Sequence, residues 1–133
     1  MSDKKARVLI IDDQPSEVKM VKMALEGSNY EVIYAYNGRE GIEKAREEKP
    51  DLIILDILMP KESGIKMYHE LKRNPSLKDI PVVMLSGVAK RTFLRSQVAL
   101  TEFGDETVPE PEAYLEKPVE AEDLAEILKK ILG

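Results

Sequence analysis

The sequence predicts an α/β fold in which a parallel β-sheet is covered by helices on both faces. Two observations carry the prediction: short apolar runs alternate with longer amphipathic stretches, and the alternation repeats five times along the chain. Such repeats place successive strands parallel and join them by right-handed crossovers. The chain has 133 residues, which suits one compact domain with one core.

Five segments have the composition of strands in such a sheet. Three of them are short apolar runs, rich in branched residues and bounded by Asp or Pro, as expected for buried parallel strands. The other two are assigned from the alternation. The predicted strands are ARVLII (6–11), YEVIYAY (30–36), DLIIL (51–55), PVVML (81–85) and the short segment 113–116.

The intervening stretches carry signals that are typical of helix ends. Pro15 suits a first helical turn, and Asn37 followed by Glu40 resembles a capping box. Ser63 can cap a third helix, which the Asn-Pro pair at 74–75 would end. The predicted helices span 15–26, 37–48, 63–73, a stretch after the fourth strand, and a C-terminal stretch with Leu124, Ile127, Leu128 and Ile131 at helical spacing.

Polar residues follow four of the predicted strands: Asp12 and Asp13, then Asp56, Ser86 and Lys117. Ligands of parallel sheets bind at the carboxyl ends of the strands, so we expect these side chains to meet. A single aspartate at a strand end is more often a turn former or a helix cap. Three acids brought together, however, repel one another and require a cation. Octahedral Mg²⁺ would satisfy them and leave a position open for a phosphoryl oxygen.

These residues and their neighbours resemble the receiver domains of bacterial two-component response regulators, of which the chemotaxis regulator is the minimal form. The resemblance covers the whole chain and is carried by Asp12-Asp13, the run DILMPKESG at 56–64, Ser86-Gly87, and Tyr114 before Lys117-Pro118. It implies one receiver domain over residues 1–133. It also implies a doubly wound, flavodoxin-like sheet of five strands in the order 2-1-3-4-5.

The resemblance implies a phosphoacceptor and a metal site. Asp56 would be the nucleophile, and Asp13 and Asp56 would bind Mg²⁺, or Mn²⁺ in its place, together with the backbone carbonyl of Leu58. Asp12 would act largely through a metal-bound water. Positioning and charge neutralisation would supply most of the catalysis of phosphoryl transfer.

The resemblance also implies a switch. Lys117 would neutralise charge at the site, aimed there by a cis bond to Pro118, and Ser86 would donate a hydrogen bond to the phosphoryl group. Tyr114 would rotate into the space that Ser86 and its loop vacate. The surface formed by the fourth helix, the fifth strand and the fifth helix would then change.

The implied activity is that of a signalling module, which assists its own phosphorylation and dephosphorylation but is not an enzyme acting on other substrates. Its phosphoryl donor would be a sensor histidine kinase or a histidine phosphotransfer protein. The chain stops at Gly133 without an output domain. If this is the natural protein, we expect it to act on a downstream protein by contact or to pass its phosphoryl group on; if it is an excised domain, the effector is missing from the sequence.

Composition excludes several other classes of function. The net charge of -5, from 20 basic and 25 acidic residues, offers no positive field for direct nucleic-acid binding. The absence of cysteine excludes disulfides, thiolate metal sites and a cysteine nucleophile. No apolar run approaches the roughly 20 residues that span a bilayer, and the N-terminus does not resemble a signal peptide. We expect a cytoplasmic protein without membrane contact.

The sequence departs from the family pattern between Ser86 and Lys117, where the chain is longer than in a minimal receiver. The extra length is assigned to FGDETVPEPE (103–112), whose acids, prolines and glycine predict an extended loop. This insertion borders the surface that would change on phosphorylation. Both a tolerated surface insertion and a partner-specific contact are open.

Two other functions were weighed. A small metal-dependent phosphohydrolase of the haloacid-dehalogenase type also uses an aspartate nucleophile, but it has an acid two positions later, where this chain has Leu58. A flavodoxin-type nucleotide site needs glycines and hydroxyls in the first loop, whereas this loop reads DDQPSE (12–17). Both alternatives are disfavoured.

Three further predictions concern single side chains. His69 is predicted to be a solvated helix residue without a role. The methionines Met20, Met23, Met67 and Met84 are predicted to fill the core or its rim. Leu58 and Val88 occupy the positions that flank the hydrolytic water in receivers, and neither can orient a water, so autodephosphorylation is predicted to be slow.

Overall fold

A computed structural model of the chain describes residues 6–25, 27, 30–56, 58–59, 62–86, 111–116 and 119–132. The described helices are α1 (Pro15–Ala24), α2 (Gly38–Glu48), α3 (Gly64–Arg73) and α4 (Ala121–Leu132). The described strands are β1 (Ala6–Ile11), β2 (Tyr30–Ala35), β3 (Leu52–Asp56), β4 (Leu58–Met59), β5 (Glu62–Ser63), β6 (Val82–Ser86) and β7 (Ala113–Glu116). The helix predicted after the fourth strand of the sheet lies outside these residues.

Five parallel strands form the central sheet in the order β2-β1-β3-β6-β7. This confirms the predicted order, in which the first strand lies between the second and the third. All five residues of β3 are buried, as expected for the middle strand of a sheet that is covered on both faces. None of the described helices is long and apolar enough to cross a membrane.

Two hydrophobic clusters, one on each face of the sheet, confirm the layers of helices that the sequence predicts. Alternate residues of each inner strand point to opposite faces, so Leu9 and Ile11 belong to one cluster, and Val8 and Ile10 to the other. The first cluster packs against α2 and α3 through Ala45, Met67, Tyr68 and Leu71. The second packs against α1 and α4 through Val18, Val21, Leu25, Leu124 and Leu128.

The start of α2 follows the predicted capping box with one change. The side-chain oxygen of Asn37 accepts a hydrogen bond from the backbone N–H of Glu40 at 2.9 Å. The Glu40 carboxylate accepts in return from the N–H of Tyr36 at 3.2 Å rather than from that of Asn37. The two bonds fix the entry into α2 directly after β2.

Helix α1 is shorter than the prediction, which extended it to residue 26. It ends at Ala24, and the N–H of Leu25 donates to the carbonyl of Val21 at 3.0 Å. Gly27 has a φ of 86°, a left-handed conformation that glycine adopts without strain. A glycine at this position suits the stop of α1.

A two-stranded antiparallel ladder between β4 and β5 follows β3 and was not predicted. Leu58 pairs with Ser63, and Met59 pairs with Glu62. Strands of two residues carry no detectable alternation in the sequence, so the motif was read only as a loop of the site. Ser63 is the last residue of β5 and directly precedes Gly64, where α3 begins, so it occupies the cap position that the sequence predicts.

Two predictions about side chains were wrong. His69 is only 5% exposed, although its charged neighbours in sequence suggested a solvated position. Buried residues at 67, 68, 69 and 71 show that α3 is covered over an arc wider than its apolar stripe. Met20 and Met23 do not fill the core, since they are 41% and 61% exposed on α1. Met67 and Met84 are buried, as predicted.

Candidate functional site

The carboxyl ends of β1 and β3 bring three aspartates to one edge of the sheet. Ile11 pairs in register with Leu55, so Asp12 follows β1 at the level where Asp56 ends β3. The N–H of Asp12 donates to the carbonyl of Ala35 at 3.1 Å, which ties the turn after β1 to β2. The sheet ladder itself therefore determines where the acids lie.

The backbone also orients the Asp12 side chain. Its Oδ1 accepts a hydrogen bond from the N–H of Gln14 at 3.0 Å, a local turn that aspartate commonly forms. Pro15 begins α1 immediately afterwards and supplies no N–H that would compete for the carboxylate. The sequence analysis did not assign Gln14 any part in positioning the site.

Carboxylate oxygens of Asp12, Asp13 and Asp56 all lie within 4.8 Å of one another. Asp12 and Asp56 are each 2% exposed, and Asp13 is half-buried. Within the part of the chain that the structure describes, Oδ1 of Asp13 is buried and accepts no hydrogen bond. A buried, unpaired carboxylate oxygen beside two other acids is costly without a cation. The oxygen ligands fit a hard divalent ion, so this group could hold a metal.

The sheet register places one more of the predicted site positions, Ser86, at the same edge of the sheet as Asp56. Asp56 pairs with Leu85 on β6, and Ser86 is the residue directly after Leu85. Ser86 pairs in turn with Glu116, the last residue of β7 and the one that precedes Lys117. Lys117 and Pro118 lie outside the described residues, and so does the predicted cis bond between them.

Tyr114 lies on β7 opposite Met84. It is half-buried and packs against the hydrophobic cluster that α2 and α3 cover. Among the described strands, β7 is at the edge of the sheet opposite β2. The predicted rotation of its ring stays a prediction.

Most of the acidic insertion at 103–112 lies outside the described residues. Its last residue, Glu112, donates its backbone N–H to the carbonyl of Val82 at 2.9 Å. Burial lowers the pKa of Lys72 on α3, and the negative charges of Glu112 and Asp79 act in the opposite direction. The last residue of the insertion is therefore bonded to β6 and lies close enough to Lys72 on α3 to affect its pKa.

Comparison with known proteins agrees with this geometry. The family model of the response regulator receiver domain matches residues 8–129. The polar-differentiation response regulator DivK of Brucella anthropi is 33% identical over 129 residues, which cover 95% of each chain. Protein PilH of Pseudomonas aeruginosa is 32% identical over 131 residues, which cover 96% of this chain and 98% of PilH.

Solved structures show the same fold. The chemotaxis protein CheY4 of Vibrio cholerae superposes with a TM-score of 0.81 and 29% identity, over 96% of this chain and 99% of CheY4. A CheY-like response regulator receiver domain protein from Methanospirillum hungatei gives a TM-score of 0.80 with 26% identity, over 97% of this chain and 94% of that protein. The phosphohydrolase alternative is not favoured by these matches. The chain belongs to the response regulator receiver domain family and is a signalling module of two-component systems.

Proposed function

We propose that Asp56 accepts a phosphoryl group from a histidine kinase or a histidine phosphotransfer protein, in a reaction that requires Mg²⁺. The observation that carries the proposal is the convergence of the Asp12, Asp13 and Asp56 carboxylate oxygens within 4.8 Å. A structural role alone would not explain why Oδ1 of Asp13 is left buried without a partner among the described residues.

Asp13 and Asp56 would hold the metal together with the backbone carbonyl of Leu58, and Asp12 would hold it through a water. The bound ion supplies positive charge that offsets the carboxylates and the incoming phosphoryl oxygens. A carboxylate oxygen of Asp56 attacks phosphorus as the bond from phosphorus to the histidine nitrogen breaks, and the imidazole leaves. Asp56 suits this role because it ends a fully buried strand, which holds its backbone in place.

Ser86 and Lys117 bind the phosphoryl group after transfer. Support comes from the register, which carries β6 and β7 to the same edge as Asp56 and places Ser86 opposite Glu116. The new charge draws Ser86 and its loop inward. Tyr114 lies only two residues before Glu116 on β7, so a shift of β6 reaches its packing, and a rotation of its ring alters the surface around β7 and α4.

Residues 1–133 act as one receiver domain, in the cytoplasm, and signal to a downstream protein without binding nucleic acid or membrane. The domain does not turn over external phosphate esters, because Leu58 provides no general acid two positions after Asp56.

Incubation with a small acyl phosphate and Mg²⁺, followed by intact mass measurement, tests the proposal. The wild type is expected to gain one phosphoryl group, and Asp56→Asn none. Asp79→Asn is a matched control, because it makes the same change at an exposed position away from the site. Multiple turnover of p-nitrophenyl phosphate without a stable adduct would favour the hydrolase and contradict the proposal.

A further inference from the structure

A groove between α1 and β2 is not used by the phosphorylation chemistry. It has a cavity volume of about 570 Å³, which is within the range of ligand sites, roughly 300 to 1,000 Å³. One wall is formed by a face of β2 and by Tyr36, which follows this strand. The other wall is the side of α1 that faces β2. The lining residues are Pro15, Val18, Lys19, Lys22, Met23, Leu25, Gly27, Tyr30, Val32, Tyr34 and Tyr36.

The groove is positively charged although the chain as a whole carries a net charge of -5. Among the residues that the structure describes, its lining contains Lys19 and Lys22 and no acidic residue. The ammonium of Lys22 lies 5.4 Å from the ring centre of Tyr34, and that of Lys44, on α2, lies 5.1 Å from the same ring. Within the described residues none of these three lysines forms a salt bridge. Their charges are available to an anionic ligand.

The aromatic side chains of the groove are partly open to solvent. Tyr34 and Tyr36 are 36% and 38% exposed, and their ring centres lie 5.1 Å apart. Met23 on the opposite wall is 61% exposed. Exposed aromatic and methionine side chains in a groove with charged margins are typical of protein contact sites.

The backbone of β2 offers a second kind of contact. Among the described strands, β2 is at the edge of the sheet and pairs only with β1. The carbonyl of Ala35 accepts from Asp12 and so points toward β1. Because residues alternate along a strand, Tyr30, Val32 and Tyr34 direct their N–H and C=O groups to the open edge. The same residues line the groove with their side chains.

We propose that the α1–β2 groove binds an extended acidic peptide segment of a partner protein. The segment adds a strand to the open edge of β2, which is a recurring mode of peptide recognition. Its carboxylates lie against Lys19, Lys22 and Lys44, and its apolar side chains contact the tyrosines and Met23. This contact is separate from the phosphorylation at Asp56 and does not depend on it.

Two other occupants fit the groove less well. The acidic run of a second copy, between Glu102 and Glu112, carries the right charge, but it offers the exposed tyrosines and Met23 few apolar side chains. A nucleotide would need phosphate-binding backbone and hydroxyl groups, whereas Gly27 is the sole glycine among the described lining residues. An extended peptide uses the lysines, the tyrosines and the strand edge together.

Fluorescence anisotropy tests the proposal with a labelled ten-residue peptide in which pairs of Glu alternate with pairs of Val and Tyr, so that both kinds of side chain face the groove. We expect saturable binding that weakens as salt is raised. Lys22→Glu is expected to weaken binding about tenfold, since it replaces attraction by repulsion. Lys129→Glu is the matched control, because Lys129 is also exposed in the last turn of a helix, α4, and it is expected to bind like the wild type. Equal affinity of all three proteins would overturn the proposal.

A second pair of peptides tests strand addition without altering the protein. Methylation of the backbone nitrogens at one set of alternate positions removes the donors that face β2, and methylation of the other set does not. One peptide is expected to lose binding at least about tenfold while the other retains it. Similar binding of both peptides would overturn strand addition as the mode of contact.

Competition distinguishes the remaining occupants. If ATP displaces the labelled peptide at the affinity of the unlabelled one, the groove is a general anion site and the proposal is wrong. Self-association of the wild type that is lost on deletion of 104–111 would assign the groove to a second copy and would also overturn the proposal. A monomer that binds the acidic peptide and not ATP supports it.

Discussion

Asp13 and Asp56 bring carboxylate oxygens within 4.8 Å of each other from the ends of two neighbouring strands. Their closeness is a property of the sheet, because the pairing of Ile11 with Leu55 sets both strand ends at one level. The fold therefore accumulates negative charge at a single edge, and it must be stable enough to hold that charge before any cation arrives.

Metal binding should consequently stabilise the domain, and removal of one acid should reverse this. We expect Mg²⁺ to raise the melting temperature of the wild type. At a Mg²⁺ concentration of 100 times the dissociation constant, the free energy of unfolding should increase by about 2.7 kcal/mol. Asp13→Asn should be more stable than the wild type in EDTA, by roughly 1 kcal/mol, because one like-charge repulsion is removed. It should gain little from Mg²⁺.

Thermal unfolding in EDTA and in Mg²⁺ measures both effects. Asp79→Asn is the control, since Asp79 is exposed at a distance from the acids, and it should respond to Mg²⁺ as the wild type does. A normal Mg²⁺ response in Asp13→Asn would remove Asp13 from the metal site.

The packing of α2 against β1 should be sensitive to one added methyl group at Gly41. A Cβ there would lie 2.6 Å from Cδ1 of Ile11 and 3.0 Å from Cε of Met67. Gly41→Ala is expected to cost about 1 to 3 kcal/mol of unfolding free energy, because the overpacked helix must shift. Urea unfolding measures this.

A second substitution distinguishes overpacking from a loss of helix stability. Ile11→Val removes Cδ1, the nearer atom, and keeps Cγ1, which would lie 2.8 Å from the added Cβ. The double variant should therefore recover part of the overpacking cost and be more stable than the sum of the two single effects predicts. Strict additivity would contradict the packing explanation. Ile11 directly precedes Asp12, so the same experiment examines how firmly the sheet holds the site.

His69 should make the domain less stable as the pH falls. Burial lowers the pKa of His69 below its ordinary value of 6.5, and Arg73 lowers it further. The unfolded chain therefore binds a proton more readily than the folded one. The contribution of neutral His69 to the free energy of unfolding is therefore fully present above pH 6.5. It is lost as the pH falls from 6.5 toward the lowered pKa of the folded state.

His69→Phe keeps a planar ring and removes the titration. The free energy of unfolding of the wild type should fall more steeply between pH 7.5 and 5.5 than that of this variant. The variant should also be at least as stable at neutral pH, because the buried Nε2 of His69 has no hydrogen-bond partner among the described residues. Parallel pH profiles would show that His69 does not titrate as a buried group.

Phosphoryl loss should be slow because Leu58 cannot orient a water toward the phosphoryl group. Leu58→Asn is expected to shorten the lifetime of the adduct, whereas Leu58→Ala should not, since it only truncates the side chain. Intact mass measured over time after removal of the donor gives both rates. Equal decay of Leu58→Asn and the wild type would show that position 58 does not limit hydrolysis.

Much of the fold could be predicted because apolar residues recur at different spacings in its strands and in its helices. The alternation of apolar runs and amphipathic stretches, together with the family resemblance, predicted the order of the strands in the sheet. The positions directly after the predicted strands identified Asp12, Asp13 and Asp56 as site residues. The short β4 and β5 could not be predicted, because two residues carry no periodicity. The Glu40 carboxylate accepts its hydrogen bond from the N–H of Tyr36 rather than from that of Asn37. This choice depends on the backbone conformation at the end of β2.

His69 and Tyr34 show the limit of sequence patterns for side chains. Met67, Tyr68 and Leu71 belong to the cluster between α3 and the sheet, whereas His69 lies beside them among charged residues in the sequence, so its burial was missed. The neighbours of Tyr34 come from different helices, Lys22 from α1 and Lys44 from α2. Such an arrangement appears only when the helices are packed on the sheet.

The most direct test of the central claim is to map the modified residue itself. After treatment with an acyl phosphate and Mg²⁺, borohydride reduction converts an aspartyl phosphate to homoserine, and peptide mass spectrometry locates it. We predict homoserine at position 56, dependent on Mg²⁺ and absent when EDTA is present. Homoserine at any other aspartate, or none at position 56 in the presence of Mg²⁺, would contradict the account.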